Sequence, residues 1–269
     1  MTSTIRKLVT LLLLAIAPGA LAAAPATVFL EDLTWTELRD EIRAGKTTII
    51  VPIGGTEQNG PHMALGKHNA RVKALAERIA RQLGNALVAP VVAYAPEGGV
   101  EPPTAHMRFP GTITVPDKTF EQVLESATRS FKLHGFRDIV FIGDHGGYQK
   151  VVQATAATLN REWAATPVRA HAIVEYYRVT TTAYADALRK RGFTADEIGT
   201  HAGVADTSLT LALAPGMVRS DRLGSAPKPS AADGVYGDPR RASAEVGQLG
   251  VDEIVTATVA AIRQATARR

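Results

Sequence analysis

Short β-branched runs alternate with longer amphipathic stretches along most of this chain, and that alternation limits the folds open to it more than any other feature. Thr47–Ile53 (TTIIVPI) reads as a buried strand, being short, rich in Ile and Val and closed by Gly54-Gly55. The spacing then predicts a helix over Asn69–Leu83, where Val72, Leu75, Ala76, Ile79 and Leu83 recur at helical intervals and Gly84 stands ready to end it. Ala86–Val92 is a second strand. Pro116 opens a helix to about Leu133 with Phe120, Val123, Leu124 and Ala127 on one face. Asp138–Ile142 and Val168–Val174 read as further strands, and Tyr148–Trp163, Ala183–Arg191 and Ala244–Ala267 as further helices. Such alternation implies an α/β domain whose mainly parallel sheet is covered by helices on both faces. Pro215–Ala242, rich in Gly, Pro and Ser, reads as an ordered surface loop, and no repeat or linker divides residues 23–269.

The N-terminus has a different character. Arg6 and Lys7 precede an aliphatic run over Leu8–Ala17, followed by Pro18, Gly19 and the small residues of Ala20–Ala24. A short basic region, an apolar core and an A-x-A-like site describe a secretory signal peptide over residues 1–22. The apolar run is too short for a permanent membrane anchor. The expected mature chain is therefore periplasmic or secreted, with no anchor after cleavage. There is no Cys among the 269 residues, which excludes thiol nucleophiles, iron–sulfur clusters and Cys-ligated zinc. Any metal must sit on His, Asp, Glu or Asn. The formal charge is only +4 with Lys and Arg scattered, so nucleic acid is not an expected partner.

Ligands of open α/β sheets gather beyond the carboxyl ends of the strands. After the first strand comes GGTEQNGPHMALGKHN, with Glu57, Asn59, His62, Lys67 and His68; after Asp138–Ile142 comes GDHGGY, with Asp144 and His145. THAGVADTSLTLAL adds His201 and Asp206. Three segments thus bring imidazole and carboxylate to one sheet edge, which is how a site for a hard or borderline metal is assembled. Blander roles exist for several of them. Glu57 serves equally as a surface acid or helix cap, and His68 as a residue at a helix start. His134, near a helix C-terminus, and His171, in a strand, read as structural, and Leu209–Leu213 as core. No G-x-S-x-G, H-E-x-x-H, P-loop or G-x-G-x-x-G motif is present.

At these residues the chain resembles the creatininase family. The likeness runs from LEDLTWTELRDEIRAGKTTIIVPIGGTEQNGPH through FPGTITV at Phe109–Val115 and IGDHGGY to HAGVADTSLTLALAP, so it spans Leu30 to Pro215 in order and continues weakly into the C-terminal helix. The resemblance implies a three-layer α/β/α sandwich, a ring-like homo-oligomer (a hexamer), and hydrolysis of a cyclic or linear amide-type C–N bond of a small molecule by metal-activated water. It also implies two metals held by an E-x-H pair, an Asp eleven residues after the Glu that bridges them, the His of an Asn-Gly-His motif, and a Glu two residues beyond it.

The chain keeps Glu57 and His145 from that pattern but has Asn59 for the first His, His68 for the bridging Asp and Gly147 for the last Glu. Asp144 replaces a Gly before the motif's His, and Asp206 a Glu of the later motif. The expectation is one divalent metal per chain, zinc before manganese, on Glu57, His68 and His145. His201, aligned with the family's catalytic His, is expected to carry a proton to the leaving nitrogen. Asp206 would join the ligands or hold one from behind, and Asp144 would orient His145 or the water. His106 is expected at the substrate pocket. Tyr148 would line the pocket or pack at a helix start, and His62 would support a ligand or be structural. Two rival readings stay open: a metal-dependent lactonase or esterase, and an exported small-molecule-binding protein that has lost turnover.

Overall fold

A computed structural model describes residues 26–223 and 227–267; the segment read as a signal peptide lies outside them. Helix α1 (Trp35–Arg43) starts at Thr34, whose side chain accepts from the Glu37 N–H while Glu37 reaches back to the Thr34 N–H. Strand β1 (Thr48–Ile53) is buried along its whole length. Helix α2 (Lys67–Leu83) follows and ends at Gly84, whose left-handed φ of 84° is free of cost only for glycine. Next come β2 (Ala86–Val88), α3 (Asp117–His134), β3 (Asp138–Gly143), α4 (Gln149–Glu162) and β4 (Arg169–Ala172). The chain closes with α5 (Glu175–Thr181), α6 (Ala183–Lys190), α7 (Ala195–Ile198), α8 (Val204–Leu213) and α9 (Ala244–Ala267).

The four strands form one parallel sheet in the order β2-β1-β3-β4, with Ile50 of β1 beside Val88 of β2 and Val140 of β3. Period-two alternation sorts the strand residues between two cores. Ile50, Val88, Val140 and Ile142 pack among residues of α2, α5, α6, α8 and α9. Ile49, Val51, Ile53, Leu87, Ile139 and Phe141 pack among α1, α3 and α4. The result is a three-layer α/β/α sandwich. Helices α8 and α9 approach so closely that a Cβ on Gly247 would lie 1.9 Å from the Ser208 carbonyl oxygen.

The strand expected over 86–92 stops at Val88, leaving isolated bridges from Val88 to Phe29 and from Val92 to Ile53. Pro90, with no N–H, interrupts the ladder between them. Helix α2 begins at Lys67, two residues earlier than its apolar stripe suggests, so His68 lies in its first turn. Helices α1, α5, α7 and α8 are additional to the expected set. Among its described residues, the stretch over 215–242 carries single-turn helices at Pro215–Met217, Ser220–Arg222, Ala231–Asp233 and Pro239–Arg241. None of the described helices is long and apolar enough to cross a membrane.

Candidate metal centre

The centre is built where β1 and β3 run out. Gly54 and Gly55 turn the chain off β1, and each makes room for a neighbour. A Cβ on Gly54 would collide with Asn69 Oδ1 at 2.0 Å; this oxygen accepts the Gly55 N–H at 3.1 Å and ties the turn to α2. A Cβ on Gly55, where φ is 143°, would stand 2.3 Å from Glu97 Oε1. The glycines thus leave space for a second carboxylate beside Glu57.

Glu57 is fully buried. Its Oε1 lies 2.6 Å from His68 Nε2 and 3.7 Å from His201 Nδ1. Its Oε2, 3.1 Å from His106 Nε2 and 3.6 Å from His145 Nε2, has no hydrogen-bond partner. Glu97, on the segment after β2, is 2% exposed, with Oε2 3.4 Å from His145 Nδ1 and neither carboxylate oxygen hydrogen-bonded. One donor atom from each of Glu57, Glu97, His106 and His145 falls within 4.8 Å of the other three. Three orphaned carboxylate oxygens beside two imidazoles form an environment that a proton or a cation has to complete, since buried carboxylates without donors are costly.

The electrostatics agree. Burial and the facing Glu57 push the Glu97 carboxyl up to about 9. Burial raises Glu57 as well, but His68, His145 and Lys67 outweigh it and hold Glu57 well below the usual carboxylate range. Burial brings His145 down to about 4 and lowers His106. Both imidazoles are therefore neutral near pH 7, the form a metal requires. The donors present fit a divalent cation of borderline character.

His68 is placed differently from the expectation. Nδ1 lies 2.6 Å from Asp144 Oδ2 and Nε2 lies 2.6 Å from Glu57 Oε1, so both ring nitrogens face carboxylates. Asp144 is held in turn by Arg71, whose Nε and Nη2 donate at 2.9 and 2.7 Å, and by the Tyr176 hydroxyl at 2.9 Å. Arg71 Nη1 reaches on to Asp206 at 2.8 Å. His68 is thus a brace behind Glu57, outside the donor cluster, and Asp144 orients His68 in place of His145 or a water. Asp206 neither joins the donors nor holds one of them. It accepts the Ala202 N–H at 3.0 Å and anchors the segment that carries His201.

His201 Nε2 lies 3.0 Å from the Gln58 carbonyl oxygen and 3.1 Å from the Gln58 side-chain nitrogen, so Gln58 holds this edge of the ring. Nδ1 faces Glu57 Oε1 at 3.7 Å. Burial, with Lys67 nearby, brings this imidazole down to about 3. His106, expected at the pocket, lies there and also within the donor cluster. Tyr148 is fully buried, and its hydroxyl sits 2.9 and 2.8 Å from the Ile53 and Gly54 carbonyls while accepting the His145 N–H. It fixes the His145 backbone from behind and has no surface on the pocket, the packing role of its two expected ones. His62 pairs with Thr207 Oγ1 at 3.0 Å, His171 with Asp138 at 3.0 Å, and His134 ends α3. A cavity of about 640 Å³ opens over the centre, lined by His106, His145, His201, Tyr177, Thr200 and Tyr236 among others. Glu97, Gln58 and Arg71 were not anticipated. Glu97 obeys the same strand-end rule as Glu57, but its Pro- and Gly-rich surroundings read only as loop.

The family model for creatininase, described as creatinine amidohydrolase, matches residues 31–262. Creatinine amidohydrolase from Pseudomonas putida is 28% identical over 261 residues, which is 88% of this chain and 97% of the relative. A mycofactocin precursor peptide peptidase from Mycobacterium ulcerans is 26% identical over 81% of this chain and 86% of its own. A solved creatininase of Zn–Zn type superposes with a TM-score of 0.73 at 27% identity, covering 89% of this chain and 98% of the other. A manganese creatininase gives the same TM-score, identity and coverages.

Proposed function

The chain belongs to the creatininase family, and from that premise we propose that it is a metal-dependent amidohydrolase that cleaves a cyclic or linear amide-type C–N bond in a small molecule. The observation that carries this reading is the buried pair Glu57 and Glu97, with three unpartnered oxygens, facing the neutral imidazoles of His106 and His145. These four residues would hold one divalent cation per chain. Zinc suits two imidazoles and two carboxylates best and manganese is the second choice; relatives solved in zinc and manganese forms support both. When bound, the cation supplies a Lewis acid that polarises the carbonyl and acidifies water.

The protein's own groups do the rest. Gln58 holds the His201 ring on its Nε2 edge, and the imidazole lines the cavity, where it would relay a proton between the attacking water and the leaving group. Burial makes the resulting imidazolium a strong acid, suited to passing that proton to the leaving nitrogen. The His68–Asp144–Arg71 chain fixes the Glu57 carboxylate, and Tyr148 fixes the backbone of His145. A cluster of four metal donors with the His201 imidazole beside it in the same cavity favours turnover over mere binding.

The same reading includes export and self-association. Export rests on the signal-like segment at residues 1–22. A homo-oligomer rests on the likeness to the creatininase family alone. The test is elemental analysis of the purified chain followed by assay on lactams, linear amides and lactones. About one zinc or manganese per chain, with C–N cleavage lost on chelation, is the expected result. Cleavage that survives complete metal removal, or of lactones alone, overturns the reading.

A further inference from the structure

Lys67 has no local reason to be where it is. It is the first residue of the 17-residue helix α2, where the helix dipole disfavours a cation, and its side chain is fully buried. The ammonium has three donors, yet Nζ makes no hydrogen bond. Its nearest ion-pair partner, Asp206 Oδ1, lies at 3.3 Å and is already served by Arg71 at 2.8 Å, while Asp206 Oδ2 accepts the Ala202 N–H. Arg71 and His68, the neighbouring groups of the network, have hydrogen-bonded partners for their ring and guanidinium nitrogens. A buried charge left in this condition is destabilising unless something in its surroundings needs it.

What needs it is the acidic centre. The Lys67 charge pulls down the carboxyls of Glu57, Glu97, Asp144 and Asp206, and it also disfavours protonation of His106, His145 and His201. Lys67 lines the same cavity as His106, His145 and Asp206, so its field reaches the donor cluster. The carboxylates of Glu57, Glu97, Asp144 and Asp206 face Lys67, Arg71 and the His68 ring lodged between two of them, so one divalent cation brings the centre near neutrality. A second would add two more positive charges to a buried site that already contains a fixed ammonium. The fold itself does not forbid two, since a solved relative is of Zn–Zn type.

We propose that Lys67 is a built-in counter-charge that confines the centre to a single divalent cation by occupying, electrostatically, the place of a second. The inference rests on the metal reading above, and its test does not use activity. Zinc content at saturation is measured by elemental analysis, and zinc affinity by competition with a chromophoric chelator, on wild type and on Lys67→Met, which keeps length and apolar volume and removes the charge. Wild type is expected to saturate at one zinc per chain. Lys67→Met is expected to bind that first zinc more tightly, by at least about tenfold, because a repulsion between close buried charges has been removed. A purely structural lysine predicts unchanged or weaker binding. Unchanged or weaker binding in a folded variant, or two zincs in wild type at saturation, overturns the proposal; the wild-type count decides even where the variant does not fold. A wild type that binds no zinc at all would sink the metal reading itself.

Discussion

Cation uptake by this centre should release a proton, and the size of the effect follows from Glu97. Its carboxyl is held at about 9 by burial and by the Glu57 carboxylate it faces. At pH 7 it therefore carries a proton in roughly 99% of metal-free molecules, which the incoming cation must displace. Each pH unit below that value is worth about 1.4 kcal/mol, so at pH 7 the apparent affinity lies about a hundredfold below its limiting value. Raising the pH from 7 to 9 should strengthen zinc or manganese binding about tenfold per unit, with a plateau above. His145 and His201, down at about 4 and 3, and the lowered His106 are already neutral and release nothing in this range.

The assay is chelator competition across that pH range, combined with calorimetry in buffers of different ionisation enthalpy to count the protons. About one proton per cation at pH 7, falling towards none at pH 10, is expected. In Glu97→Gln the pH dependence should vanish and the affinity fall, because a neutral amide replaces an anionic donor. A flat affinity from pH 7 to 9 in wild type, or uptake that is unaltered by Glu97→Gln, would refute the assignment of Glu97 to the donor set.

The same carboxyl predicts that metal-free protein loses stability as pH rises. Its folded value lies above the unfolded one, so its stabilising share is complete below about 4.3 and is lost as pH climbs towards 9. Thermal melts of the metal-free chain should decline over this interval, and saturating zinc should abolish the trend. His68→Ala should leave the number of bound cations and the count of two coordinated imidazoles by X-ray absorption unchanged while weakening affinity about 10–100-fold; loss of an imidazole from the spectrum would restore His68 to the ligands. Arg71→Met leaves Asp144 buried without its guanidinium, and denaturant unfolding should register a loss of about 3–5 kcal/mol. His201→Gln should retain the metal and lower turnover about 10²–10⁴-fold, and a variant with near-normal kcat would remove His201 from the proton path.

Fold and centre were legible to different depths, for separable physical reasons. β1 and β3 could be read because a strand buried on both faces is apolar along its middle, as IIVPI and IVFI are. α8 could not, because VADTSLTLAL is buried against α9 and α2 at once, with Thr207, Ser208 and Thr210 among its buried residues, so it has no single apolar stripe to detect. Among site residues, Glu57, His145 and His201 declare themselves by following strands or preceding an apolar run. His68 shows why position is not role. Its spacing from Glu57 places it at the centre, but what its two nitrogens face is set by Asp144 and Arg71, neither of which the spacing mentions. Glu97 shows the converse. Where the family pattern has lost donors at Asn59 and Gly147, and a carboxylate at His68, a comparison position by position registers only loss. The parallel sheet delivers the segment after β2 to the same edge as those after β1 and β3, so Glu97 and His106 reach the centre from a different part of the chain. A donor set on a sheet edge is defined by a location in space, and its members can be drawn from any loop that ends there.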